Sequence, residues 1–126
     1  MDLIGHGIDL VEIQSIKKLM DRPSDHFESR CFTRSECESA NFDAHRIQYF
    51  AGRFAAKEAV LKAIGTGWIQ GIAWTDIEIL RLPTGRPSVV LYSQCKAIAE
   101  ELGITVWLLS ISHTPSYAIA SAIAMG

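Results

Sequence analysis

The chain predicts an α+β domain: a mainly antiparallel sheet packed against one long helix and several shorter helices. Three observations carry this. A glycine-punctuated apolar strand opens the chain, an alanine-rich helical run fills its middle, and two pairs of strands joined by turns lie in its second half. Strands and helices are thus segregated rather than strictly alternating, the pattern of an α+β domain. At 126 residues, 48% hydrophobic and 21% charged, the chain has the size and composition of one folded domain over residues 1–126.

Each element follows from local pattern. Leu3 to Val11 reads as a buried strand, with Leu3, Gly5, Gly7, Asp9 and Val11 on one face and Ile4, His6, Ile8 and Leu10 on the other. From Glu12 to Asp21 the spacing turns helical, with Ile13, Ile16, Leu19 and Met20 as the apolar stripe; Pro23 ends it. A short helix is expected over His26 to Phe32. Thr33-Arg34-Ser35-Glu36 is a capping box and should start another helix. The long helix runs from about Ala44 to Ile64 and stops at Gly65. Asp76 to Leu82 and Ser88 to Tyr92 alternate around the turn Pro83-Thr84-Gly85-Arg86-Pro87, a hairpin pattern. Ser93 to Leu102 is an amphipathic helix closed by Gly103. Ile104 to Ser112 and Tyr117 to Ala124 form a second hairpin, and Ala118, Ala120, Ala122 and Ala124 give the last strand one small-residue face, which a helix or a second subunit can approach closely.

The long helix holds the chemistry. The net charge is −2, but residues 45–67 sum to +3 and the rest of the chain to −5. Arg53 and Lys57 lie one turn apart, as do Glu58 and Lys62, so two rows, read here as adjoining, present three cations around one carboxylate. Cations suit phosphate oxygens, and a lone carboxylate among them suits a divalent metal bridging to phosphate. The plainer reading is a favourable Glu58–Lys62 i, i+4 pair. Asp9 also has two readings: a metal ligand in an apolar strand, or, with Glu12, a capping box for the next helix. Gly65-Thr66-Gly67 ends a helix where a nucleotide-binding P-loop would begin one, so it reads as a C-cap that a ligand can approach. His113 stands alone in a turn, without a partner at zinc spacing. Trp68, Trp74 and Trp107 read as core residues, ahead of cleft lining.

Other classes are set aside. Cys31, Cys37 and Cys95 make an odd count without CxxC spacing, which fits a reducing compartment and neither a zinc site nor a disulfide framework. The N-terminus does not read as a signal peptide, and no apolar run is long enough to span a bilayer, so a cytoplasmic protein with no membrane partner is expected. Phe50 and Phe54 flank Arg53, but their spacing suits core packing better than stacking on nucleic acid.

Taken together, four blocks resemble a known family. They are Gly7-Ile8-Asp9-Leu10-Val11-Glu12-Ile13, the run from Phe50 to Gly67, Gly85-Arg86-Pro87, and Ser110-Ile111-Ser112-His113 with Tyr117-Ala118. In order and spacing they resemble the holo-[acyl-carrier-protein] synthases, the small trimeric class of 4′-phosphopantetheinyl transferases. The resemblance runs nearly end to end. It implies transfer of 4′-phosphopantetheine from coenzyme A to a serine of acyl carrier protein, in lipid and fatty acid biosynthesis. It also implies Mg²⁺ held by Asp9 and Glu58, with Arg53, Lys57 and Lys62 facing the phosphates. Gly65, Gly85, Arg86 and Pro87 would border the adenosine, and His113 would arrive from a neighbouring subunit of a homotrimer. Glu58 is then the candidate base for the serine proton and Lys62 the candidate acid for the leaving oxygen. Gln14, where the family often has a cation, would join Lys17, Lys18 and Arg22 in meeting the acidic carrier. The rival class is a non-catalytic module that binds a nucleotide or a carrier protein; it would need the basic row but not Asp9 and Glu58 together.

Overall fold

Gly5 and Gly7 let the long helix lie directly on the first strand. A side-chain carbon on Gly7 would collide with the Ala59 carbonyl, and one on Gly5 with that of Ala63. The computed structural model describes residues 1–69 and 71–126. In chain order it has β1 (Leu3–Glu12), α1 (Ile13–Met20), a 3-10 turn (Pro23–Asp25), α2 (Phe27–Cys31), α3 (Arg34–Asn41) and α4 (Arg46–Ile64). A second 3-10 turn (Trp74–Asp76), β2 (Ile77–Arg81), β3 (Pro87–Leu91), α5 (Ser93–Glu101), β4 (Val106–His113) and β5 (Tyr117–Met125) complete it. The α+β expectation is met, with boundaries within a few residues of those read from the sequence.

The strands form an antiparallel three-stranded sheet in the order β1–β5–β4 and a separate antiparallel hairpin, β2–β3. The helix α4 packs across the inner face of the larger sheet. Its Ala55, Ala56, Ala59 and Ala63 meet Ala120, Ala122 and Ala124 of β5 in one core, with Val60, Ile77, Ile79 and Cys95. The small-residue face of the last strand is therefore filled by a helix of the same chain, not left for a second subunit. Small side chains on both surfaces bring the backbones close, which raises the packed contact per residue.

The second core lies on the other flank of α4. Phe27, Phe32, Tyr49 and Phe50 pack there with Ile13, Ile16 and Cys31, joining α1, α2 and α3 to the helix. Because α4 is covered by the sheet on one side and by helices on the other, it is buried on most of its circumference. Only a few of its polar side chains reach solvent, and those mark where chemistry is available.

The Thr33 capping box forms as expected: Thr33 Oγ1 accepts from Glu36 N at 3.3 Å, and Glu36 Oε1 accepts from Thr33 N at 2.8 Å. The second capping box does not form. Glu12 occupies the N-cap of α1 without a side-chain cap bond, and Asp9 stays within β1.

Candidate functional site

Helical geometry separates the charges that the sequence places together. At about 100° per residue, Arg53 and Lys62 point to opposite sides of α4, and Glu58 lies about 140° from Arg53. The two rows read as adjoining are therefore distinct faces, and each meets different neighbours.

The first face carries Glu58 and Lys62. Asp9 projects from β1 on the same strand face as Gly7, toward α4. Lys62 Nζ donates to Asp9 Oδ1 at 3.1 Å and to the Ile8 carbonyl at 3.0 Å. Lys62 thus pairs with Asp9 across 53 residues of sequence and not with Glu58 one turn before it. Glu58 Oε1 accepts instead from the indole N–H of Trp68 at 3.2 Å. Gly65 caps the helix at φ 91°, a left-handed conformation suited to glycine, and lies next to this cluster in sequence. Asp9, Glu58 and Lys62 thus form one partly solvent-exposed group at the C-terminal half of α4.

Lys57, one turn after Arg53, points into the protein interior. Its side chain is fully buried and donates to Glu36 Oε1 at 2.7 Å, the Trp74 carbonyl at 3.1 Å and the Ile77 carbonyl at 2.5 Å. All three ammonium donors are satisfied, so none is left for a ligand. Burial pushes the Lys57 pKa down and the adjacent Glu36 carboxylate opposes that shift. Glu36 Oε2 also accepts from Ile79 N at 3.0 Å, so this pair ties α3, α4 and β2 together. The expected phosphate role of Lys57 is corrected to a structural one.

The second face carries Arg53, only 5% exposed. Its guanidinium lies 3.8 Å from the centre of the Tyr49 ring. Burial lowers its pKa, Tyr49 counteracts this, and nearby Arg81 adds to the lowering. Arg53 Nε is buried with no hydrogen-bond partner among the described residues. Such an orphaned donor is costly unless a ligand meets it. Arg53 lines a cleft of about 330 Å³ together with His45, Arg81, Gly85, Pro87 and His113. Two guanidiniums and two imidazoles beside one carboxyl, Asp43, make this an anion-favouring cleft.

The cleft gathers Arg53, Gly85, Pro87 and His113 of one chain, where the resemblance put His113 on a neighbouring subunit, and adds His45, Tyr49 and Arg81. It does not include Asp9, Glu58, Lys62 or Gly65. Arg86 is not among the cleft's lining residues; it lines a neighbouring groove beside Trp107 and Leu109, and Pro87 borders both. Arg81 is legible afterwards as the cation ending the strand before the Gly85 turn. Trp68, expected in the core, is 37% exposed and touches Glu58.

On α1, Gln14, Lys17 and Lys18 share an exposed face while Ile13 and Ile16 are buried beneath. Arg22 lies beyond the helix end, also exposed, 3.8 Å from Asp25.

With this geometry in hand, comparison with known proteins is specific. Residues 5–122 match the 4′-phosphopantetheinyl transferase superfamily. A holo-[acyl-carrier-protein] synthase of Koribacter versatilis is 43% identical over 121 residues, covering 96% of this chain and 97% of that protein. The solved holo-[acyl-carrier-protein] synthase of Neisseria meningitidis superposes with a TM-score of 0.90 at 30% identity, covering 99% of this chain and all of the other (100%). That of Helicobacter pylori, solved in complex with coenzyme A, gives a TM-score of 0.81 at 32% identity, covering 95% of this chain and 99% of the other. A match across both cores, both faces of α4 and the Gly85 turn leaves one assignment: the chain belongs to the 4′-phosphopantetheinyl transferase superfamily.

Proposed function

We propose that this chain transfers 4′-phosphopantetheine from coenzyme A to a serine hydroxyl of an apo acyl carrier protein, releasing adenosine 3′,5′-bisphosphate. The observation that carries this reading is the Asp9–Lys62–Glu58 group on a chain whose relatives are holo-[acyl-carrier-protein] synthases. A binding module would have no use for two carboxylates from separate elements, one paired with Lys62 and the other a turn before it on the helix.

The residues fit Mg²⁺. Asp9 and Glu58 offer hard oxygen donors, and Mg²⁺ is ordinarily held by one or two carboxylates plus substrate phosphates and water. Among the described residues no three His, Cys, Asp or Glu side chains converge, so the protein alone makes no closed cage, and the pyrophosphate would complete the site. When bound, Mg²⁺ would offset charge on the pyrophosphate oxygens.

The chain's own groups do the rest. The serine oxygen bonds to the β-phosphorus of coenzyme A, and the bond from that phosphorus to the α–β bridging oxygen breaks. Glu58 takes the serine proton. Lys62 uses two of its three donors on Asp9 and Ile8, which leaves one for the departing phosphate oxygen, to which it supplies charge and a proton.

We further propose that the site is shared between subunits of a homotrimer. Arg53 and His113 open away from Lys62, so one protomer's carboxylate group needs a neighbour's cleft for the adenosine and its phosphates. The outer face of the three-stranded sheet offers the contact surface: Ile8 is 52% exposed, Leu10 61% and Leu108 47%. An apolar patch of this kind is a mark of a protein–protein interface. The helix α1 would receive the acidic carrier through Gln14, Lys17 and Lys18, with Arg22 behind them. No described helix is long and apolar enough to cross a membrane. We place the enzyme in the cytoplasm, where its three free cysteines would stay reduced.

Intact-mass measurement tests the activity. Apo carrier protein incubated with coenzyme A and Mg²⁺ should gain one phosphopantetheine increment, and a carrier whose target serine is replaced by alanine should not.

A further inference from the structure

We propose that Trp68 is a positioning residue for Glu58: its indole N–H sets the orientation in which that carboxylate meets a divalent cation. The proposal rests on the reading of Asp9 and Glu58 as the cation site.

Four observations lead to it. Gly65 and Gly67, at φ 91° and 67°, turn the chain back after α4 and return Trp68 to the side of Glu58. The Trp68 Nε1 hydrogen then reaches Glu58 Oε1 at 3.2 Å. The ring does not float: it lies against Trp74, with centroids 4.0 Å apart, and Trp74 stacks on Phe54 at 4.6 Å and 23°. Finally, the Trp74 carbonyl accepts from Lys57 Nζ, so the aromatic ladder is anchored to the buried Glu36–Lys57 pair.

The arrangement has a physical purpose. A glutamate has several freely rotating bonds, and fixing one orientation beforehand removes part of the ordering cost of binding. The single N–H occupies one lone pair of Oε1 and leaves Oε2 and the other lone pair of Oε1 open. Hydrogen bonds to metal-binding carboxylates tune affinity in this way, and losing such a partner costs roughly 10–100-fold. With Trp68 partly solvent-exposed, the lower end is expected, about tenfold.

The test is Mn²⁺ binding, read from the free-ion paramagnetic resonance signal, with coenzyme A present and no carrier protein, against coenzyme A alone. Trp68→Phe keeps a ring on Trp74 and removes the donor; Trp68→Ala removes both. We expect wild type to bind Mn²⁺ and both variants to bind it about tenfold more weakly, with the thermal midpoint unchanged in Trp68→Phe. The apparent KM for Mg²⁺ should rise in step, with the KM for carrier protein unaltered. Wild-type affinity in Trp68→Phe overturns the proposal and leaves the carboxylate site standing; if Trp68→Ala alone were weak, the ring and not its N–H would position Glu58. Tighter binding in Trp68→Phe also overturns it, because Trp68 would then compete with the cation. If wild type binds no more Mn²⁺ than coenzyme A does, the carboxylate site itself falls, and this proposal with it.

Discussion

Lys57 donates to Glu36 across 2.7 Å in a position where both side chains are cut off from solvent, while the next residue, Glu58, faces the site. The peptide bond between Lys57 and Glu58 therefore joins a structural anchor to the carboxylate proposed to hold the cation. Breaking such a buried pair from one side leaves an uncompensated charge and costs about 3–5 kcal/mol. Lys57→Met and Glu36→Gln should each lower the thermal midpoint by on the order of 10 °C. Glu36→Leu combined with Lys57→Met should cost less than the sum of the separate changes, as a thermal double-mutant cycle would measure. Additive losses would mean the two groups stabilise the fold independently.

Asp9→Ala and Glu58→Ala should each nearly abolish transfer while leaving the fold in place, since neither side chain belongs to the core. Lys62→Ala should lower kcat by roughly 10²–10⁴, the range for a lost general acid. Carrier-loading rates and circular dichroism together check this. Near-normal turnover of either carboxylate variant at low Mg²⁺ would remove the two-carboxylate site.

Lys17 and Lys18 are exposed and not ion-paired among the described residues, as a docking face for an acidic partner requires. Reversing both to glutamate should raise the KM for carrier protein and spare that for coenzyme A. Gln14→Arg should lower the carrier KM. Each exposed pair is worth about 0–1 kcal/mol, so single changes will be small and will fade with salt. An unchanged carrier KM in the double reversal at low salt would place the carrier elsewhere.

Cys95 gives the fold an alkaline limit. Burial, with Asp76 adding to it, pushes its thiol up from 9.0 to about 11. The folded chain keeps this proton to higher pH than the unfolded chain. The contribution is thus fully present below about pH 9 and is lost as pH rises toward 11. It amounts to on the order of 2 kcal/mol across that window. Thermal midpoints from pH 8 to 10.5 should fall less steeply in Cys95→Ala than in wild type. Equal slopes would assign the alkaline loss to other groups.

The sequence discloses what depends on neighbours along the chain. The Gly5–Gly7 face of β1, the Thr33–Glu36 capping box and the Gly85 turn are local patterns, and each forms. Long-range partners are hidden in it. Glu36 satisfies its cap and then binds Lys57, 21 residues away, and nothing in either residue's own surroundings announces that. Asp9 has equal local reasons to cap α1 or to stay in the strand, and Lys62 decides between them from the other end of the fold. The opposition of Arg53 and Lys62 was computable from helical geometry, whereas charge counting alone merges them. Arg81, His45 and Tyr49 join the cleft only because the β2–β3 hairpin folds against the start of α4, a packing choice without a local signature.

The proposed site is completed between subunits: Lys62 comes from one protomer and His113 with Arg53 from its neighbour. Mixing two inactive variants tests it most directly. His113→Ala and Lys62→Ala subunits, unfolded together and refolded as a mixture, should form mixed trimers in which about one interface in three regains both residues. Carrier loading should return in the mixture, well above the two variants refolded apart. Activity no higher than their average would contradict it, and would put the whole site within a single chain.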